Sequence, residues 1–167
     1  MTDGSRHRPY VAVVGAGVAD DDACDAAEVL GRGLARRGAV LVCGGLGGVM
    51  EAACRGARGA GGLTVGILPG DDRSTANPYV EVAVPTGLGE ARNALVVRAA
   101  DVLVAVSGGY GTLSEIALAL RLGTPVVGVA TWALSPPAGP ADDPVVRLDD
   151  PERAAARAVE LALGRPR

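Results

Sequence analysis

One arginine, one glutamate and the glycines between them carry the chemistry this sequence offers. The run Ser107-Gly108-Gly109-Tyr110-Gly111-Thr112-Leu113-Ser114-Glu115 follows the most apolar strand-like stretch, Asp101–Val106, and opens a helix. Glycines at such a joint let main-chain N–H groups approach an anion that a Cβ would hold off, and the helix dipole adds to the attraction. Thr112 is placed to cap the helix and to offer its hydroxyl to a phosphate. Glu115 follows three residues later on the same helical face, either as an active-site carboxylate or as the acid of a capping box. Upstream, Thr86-Gly87-Leu88-Gly89-Glu90-Ala91-Arg92-Asn93 puts Arg92 early in the preceding crossover helix, at the ligand side of a parallel sheet. An Arg and a Glu converging on a phosphate cleft make a reaction centre. The alternative for Arg92 is a surface ion pair.

Two further glycine turns precede this one. Gly44-Gly45-Leu46-Gly47-Gly48-Val49-Met50-Glu51 lies between a strand and a helix. Its glycines, with Met50, read as a second phosphate or nucleotide cradle, and tight packing under crowded helices is the other explanation. Gly15-Ala16-Gly17-Val18-Ala19-Asp20 comes near a dinucleotide fingerprint but carries Asp20 at the third glycine. No acid stands after the second strand to meet a ribose, so NAD is disfavoured. That first turn is either structural or part of the ligand site.

The turns need a scaffold, and the rest of the chain supplies one: short β-branched runs alternate with longer Ala/Leu/Arg runs. Strands are expected at Tyr10–Val14, Ala39–Cys43, Leu63–Leu68, Tyr79–Val84, Asp101–Val106, Pro125–Val129 and Val145–Leu148. Helices are expected at Asp21–Arg37, Gly48–Ala60, about Gly89–Ala99 and Thr112–Leu122, with a last one opened by Asp150-Pro151-Glu152. Runs apolar on both faces, joined by crossover helices, imply a three-layer α/β Rossmann-like domain with a mostly parallel sheet flanked by helices. The 167 residues suit one such domain, with residues 1–8 a polar, disordered leader and Thr131–Pro144 a mobile surface loop.

Composition narrows the chemistry. All 16 basic residues are Arg, which removes Schiff bases, pyridoxal phosphate and the lysine of a P-loop. The single His7 lies in the leader, so a Ser-His-Asp triad or His-ligated metal is not expected, and no metal or organic cofactor is assigned. Cys24, Cys43 and Cys54 read as buried small hydrophobes. A net charge of −3 opposes nucleic-acid binding, and no apolar run reaches membrane-spanning length. A cytoplasmic location is expected.

Taken together, Gly44–Met50, Gly89-Glu90-Ala91-Arg92-Asn93 and Gly108–Glu115 resemble the LOG-type ("Lonely guy") superfamily, long mislabelled as possible lysine decarboxylases. The resemblance runs from about Tyr10 to Val129. It implies a Rossmann-like homodimer or homotetramer that hydrolyses nucleoside 5′-monophosphates to a free base and ribose 5-phosphate without a cofactor. It further implies Arg92 and Glu115 as active-site residues, with Gly108, Gly109, Gly111 and Thr112 in the phosphate turn. On this reading Glu115 stabilises an oxocarbenium-like ribose, and Arg92 helps the base leave or clamps the phosphate. Glu90 and Glu51 are secondary candidates for the ribose hydroxyls, and the Asp71–Asn77 loop with a neighbouring subunit forms the base pocket. The chain departs from the family motif at Asn93, where Lys is usual, and at Ser107, where Pro is usual. Its Gly-Gly-Val-Met-Glu and Gly-Glu-Ala-Arg-Asn patterns resemble a branch similar to molybdenum-cofactor carriers. A pterin-type cofactor is therefore the alternative ligand, held without catalysis, and a nucleotide-binding regulatory module is a third reading.

Overall fold

The computed structural model describes residues 8–135, 137 and 143–164. The expected leader falls outside these residues except for Arg8, as do positions 136 and 138–142 of the expected 131–144 loop. Seven strands form one parallel sheet: β1 (Tyr10–Gly15), β2 (Val40–Cys43), β3 (Thr64–Leu68), β4 (Val82–Pro85), β5 (Val102–Val106), β6 (Val126–Val129) and β7 (Val146–Arg147). Their order is β4-β3-β2-β1-β5-β6-β7, with every pair parallel. The chain winds outward from β1 to β4, then returns to place β5 on the other side of β1. The crevice beyond the carboxyl ends of β1 and β5 is therefore the topological switch point, where open α/β sheets take ligands.

Strand parity decides which helices cover which face. Val11 and Val13 of β1, with Val102 and Val104 of β5, turn towards α1 (Asp21–Arg36), α2 (Val49–Gly59) and α5 (Pro151–Leu163). Ala12, Val14, Leu103 and Ala105 turn to the opposite layer, α3 (Asn93–Arg98) and α4 (Tyr110–Arg121). Every residue of β5 is buried, as a central parallel strand requires. Asp20, at the third position of the incomplete fingerprint, is the N-cap of α1 and accepts the Ala23 amide at 2.9 Å. Asp150 caps α5 in the same way. Among the described residues no helix is long and apolar enough to cross a membrane, and no group of three or more His, Cys, Asp or Glu is placed to hold a metal.

Several element boundaries differ from expectation. The expected Tyr79–Val84 strand begins only at Val82 because the Thr64 hydroxyl bonds the Tyr79 carbonyl at 2.7 Å and the Asn77 side chain takes the Tyr79 amide at 3.1 Å. Those bonds hold the segment in a turn. The helix expected from Gly89 opens as a 3₁₀ turn, Gly89–Arg92, before α3 begins. The helix expected from Thr112 starts two residues earlier, at Tyr110. Val145–Leu148 contributes only the two-residue β7. Cys43 and Cys54 are buried, with sulfur atoms 3.5 Å apart, whereas Cys24 is half-buried.

With no Phe in the chain, the helices fit by approaching closely rather than by filling space. An alanine Cβ at Gly31 of α1 would strike the Ala53 carbonyl of α2, and one at Gly56 of α2 would strike the Glu28 carbonyl of α1. Gly31→Ala should therefore lower stability in urea titration by about 1–3 kcal/mol, the usual cost of overpacking. Gly59 gives the control, because it is exposed and a Cβ there would meet nothing within 4 Å. Gly59→Ala should raise stability by about 0.5–1 kcal/mol, since it only restricts the unfolded chain and improves helix propensity.

Candidate functional site

The turn after β5 leaves its main-chain donors unused. Ser107 adopts a φ of 52° and Gly108 a φ of 108°, which carries the chain sharply off the strand and into α4. Gly109 is the N-cap of α4, with no side chain capping the helix. Among the described residues, no acceptor takes the amides of Gly108 to Thr112. Consecutive unclaimed N–H groups at a helix N-terminus form a strong anion site, because dipole and donors point the same way. An alanine Cβ at Gly109 or Gly111 would meet nothing within 4 Å, so packing inside the chain does not require glycine at either position. Gly108 differs: its Cβ would press into the Thr112 side chain.

Thr112 does not cap the helix as expected. It is the third residue of α4, and its buried side chain sits under Gly108. With α4 starting at Tyr110, Glu115 lies beyond the first turn, where a capping-box acid cannot reach the N-cap amide. Glu115 is 7% exposed and has no hydrogen-bond or ion-pair partner among the described residues. Burial pushes its carboxyl up to about 7, against the pull of the Arg92 charge.

Arg92 closes the 3₁₀ turn before α3 and is also 7% exposed. Its Nη1 donates to Asn93 Oδ1 at 2.5 Å, so Asn93 orients the guanidinium. Its Nε is buried without a partner among the described residues. Burial lowers the Arg92 pKa, with the Glu115 charge opposing, and the group stays cationic at neutral pH. Gly44 makes room for it: a Cβ there would lie 2.7 Å from both terminal nitrogens and 2.8 Å from Met50 Sδ. The surface ion pair considered for Arg92 is not what the structure holds.

These groups share one cavity of about 460 Å³ at the switch point. Glu90, Arg92 and Asn93 line it with Gly109, Gly111, Thr112 and Glu115 of the third turn and with Gly44 and Met50 of the second. The first turn, for which the sequence allows a structural or a ligand role, contributes Val14 to Gly17 to the lining. Leu46 and Pro69 complete it; Pro69 follows β3, and its place at a strand's carboxyl end is the one sequence signal for it.

Other expected residues stand apart from this cavity. Gly45, Gly47, Gly48 and Gly108 are not among its lining residues. A Cβ at Gly45 would come within 2.6 Å of the Leu68 side chain, and one at Gly48 would enter the Ala16 carbonyl, so packing of the second turn accounts for both. Tyr110 is 82% exposed and packs on Trp132, with ring centroids 5.6 Å apart. Glu51 lines a neighbouring cavity with Gly17, Gly48 and Arg55. The Asp71–Asn77 loop does not line the main cavity. Asn77 instead pins the second turn, through its amide to the Gly45 carbonyl and its Nδ2 to the Leu46 carbonyl, each at 2.9 Å.

A model of the SLOG cluster4 family matches residues 8–155. Cytokinin riboside 5′-monophosphate phosphoribohydrolase LOG of Oryza sativa subsp. japonica is 35% identical over 113 residues, 65% of this chain and 42% of the rice protein. The chain thus spans less than half the length of that enzyme. The molybdenum cofactor binding protein of Rippkaea orientalis superposes with a TM-score of 0.81 at 34% identity, covering 93% of this chain and 98% of that one. The molybdenum cofactor carrier protein of Chlamydomonas reinhardtii follows at 0.80 and 33%, again covering 93% and 98%.

The buried carboxyl makes stability depend on pH. With Glu115 raised from 4.5 to about 7, its favourable contribution is complete below 4.5 and is lost as pH rises through 7. Above that, holding the ionised group in place costs on the order of 3 kcal/mol. Glu115→Gln should therefore melt close to the native protein at pH 4.5 and several degrees above it at pH 8.5. Gly109→Ala should melt slightly below the native protein by the same margin at both, since open space surrounds the site but alanine is the poorer N-cap.

Proposed function

The chain belongs to the SLOG cluster4 family, and on that premise we propose that it binds a phosphorylated nucleotide-type ligand and hydrolyses the N-glycosidic bond of nucleoside 5′-monophosphates. The observation that carries this reading is a buried, unpartnered carboxyl in the same cavity as Gly109, Gly111 and Thr112, whose amides are unclaimed among the described residues. An anion cradle alone would suffice for binding. A Glu115 poised near neutrality supplies what bond cleavage needs.

The 5′-phosphate takes the Gly109–Thr112 amides and the α4 dipole, which leaves the ribose between Glu115 and Arg92. As the C1′–N bond breaks, its electron pair leaves with the base and positive charge grows on the ribose ring. The Glu115 carboxylate faces that charge and accepts a proton from the water that bonds to C1′, and that proton is the one the departing base takes up to leave neutral, restoring the carboxylate. Arg92 carries the only positive side chain among the described residues that line the cavity, and donates to the phosphate or to the departing base. The base lies against Val14, Leu46, Met50 and Pro69, an aliphatic wall. Exposed Leu88 and Leu95, near the Arg92 side, offer an apolar surface that a second copy would cover in a homodimer or homotetramer.

Incubation with AMP should release adenine, with the rate climbing as pH rises through about 7 and levelling above it, because the ionised Glu115 is the working form. Glu115→Gln should cut the release by about 10²–10⁴-fold, the range for loss of a positioned acid or base. Absence of adenine above the variant's level sinks the hydrolase reading.

One observation favours a second reading: the molybdenum-cofactor proteins match this chain along 98% of their length, the rice enzyme along only 42%. On that reading the same cradle holds the phosphate of a pterin-type cofactor without turnover. Calorimetry with the molybdenum cofactor beside AMP separates the two. Tight cofactor binding with inert AMP selects the carrier.

A further inference from the structure

The segment after β6 grips the phosphate turn from behind. Thr131 Oγ1 donates to the Ser107 carbonyl at 2.5 Å, and Trp132 Nε1 donates to the Gly109 carbonyl at 3.1 Å. In a trans peptide the C=O and the following N–H point in opposite directions. No cis peptide occurs among the described residues. Drawing the Ser107 carbonyl towards the segment after β6 therefore turns the Gly108 amide away from it, while the Gly109 carbonyl, which also accepts the Leu113 amide at 3.0 Å, is shared between α4 and Trp132. Since β5 stands between β6 and β1, away from β6 is towards the β1 and β2 turns that line the cavity.

We infer that Thr131 and Trp132 are positioning residues of the anion cradle, which fix the 108–112 turn so that its unclaimed amides meet a bound phosphate monoester. The inference rests on the cavity being a phosphate site, and holds whether or not the ligand is then hydrolysed. Ser107 needs such a restraint, because its φ of 52° is one that a non-glycine residue rarely holds unaided. Its own amide is fixed on the Val129 carbonyl at 3.0 Å, so the Thr131 hydroxyl completes a two-point hold. The gripping segment is held in turn. Arg147 of β7 donates from Nη1 to the Thr131 carbonyl at 3.1 Å and from Nη2 to the Trp132 carbonyl. Its Nε meets Asp143 Oδ2 at 2.5 Å. The Tyr110 ring, packed on Trp132, closes the brace at the first residue of α4. This is also a use for the chain's one tryptophan, which the cavity lining does not include.

The test is calorimetric titration with inorganic phosphate and with AMP, on the native chain and three variants whose native fold is checked by thermal melting. Thr131→Val removes the hydroxyl at nearly constant shape, Thr131→Ser keeps it, and Trp132→Phe keeps a ring without the N–H. Loss of one such hydrogen bond should weaken phosphate and AMP equally, by about five- to tenfold, in Thr131→Val and in Trp132→Phe. Thr131→Ser should bind like the native chain. A merely structural role would lower the melting temperature and leave the phosphate affinity of the folded variant alone. Native phosphate affinity in folded Thr131→Val and Trp132→Phe overturns the inference, as does a loss for AMP that phosphate does not share. If Thr131→Val does not fold, Trp132→Phe decides alone by the same criteria. A native chain that binds neither ligand overturns both this inference and the phosphate-site reading. One that binds AMP without hydrolysing it, while the variants bind more weakly, overturns hydrolysis only.

Discussion

Everything at the cavity depends on main-chain N–H groups from Gly108 to Thr112 being left without an acceptor among the described residues. A buried amide without a partner is costly, so a fold keeps such groups only where solvent or a ligand can reach them. The parallel sheet provides that place. With β5 laid beside β1 and the rest of the chain already wound to the other side, no crossover covers the carboxyl ends of these two strands. The amides open into the gap, and the α4 dipole concentrates there.

The charged groups in that gap are placed at a cost the protein does not recover internally. Arg92 and Glu115 are each nearly buried and close enough to perturb each other's ionisation, yet they make no ion pair. A direct pair would satisfy both and leave nothing for a ligand. Held apart, Arg92 keeps an idle Nε and Glu115 holds its proton up to near-neutral pH. Unmet bonding capacity of this kind, localised beside unclaimed amides, is what the proposed ligand would meet.

Much of this was legible in the residues because the signals were periodic or chemical. The short apolar runs Tyr10–Val14 and Asp101–Val106 named the strands, and Asp150 marked the start of α5 by its side chain, whereas Asp20, in the sequence only a misfit in the fingerprint, caps α1. The Arg92 and Glu115 spacing led to the cavity that both line. The errors fall where the backbone alone decides. Nothing in a side chain marks Gly109 as an N-cap, so the residues alone put the start of α4 two positions late, at Thr112. Glycines in the second turn look alike in sequence, although Gly44 faces the cavity while Gly45 and Gly48 are held by their neighbours. The reach of Trp132 to the Gly109 carbonyl spans 23 positions and has no local signature.

The fit between Gly44 and Arg92 has an evolutionary consequence. While the guanidinium stands 2.7 Å from where a Cβ at position 44 would be, a side chain at that glycine would displace the arginine's head from where it now stands, so selection on that placement is also selection on the glycine. The constraint runs in one order only. A lineage that loses Arg92 first gains room at position 44 and is free to drift there. Once a larger residue has settled in, a returning arginine would have to hold its guanidinium elsewhere in the cavity. Descendants that abandoned the arginine would thus regain the residue by one substitution but its present placement only by two.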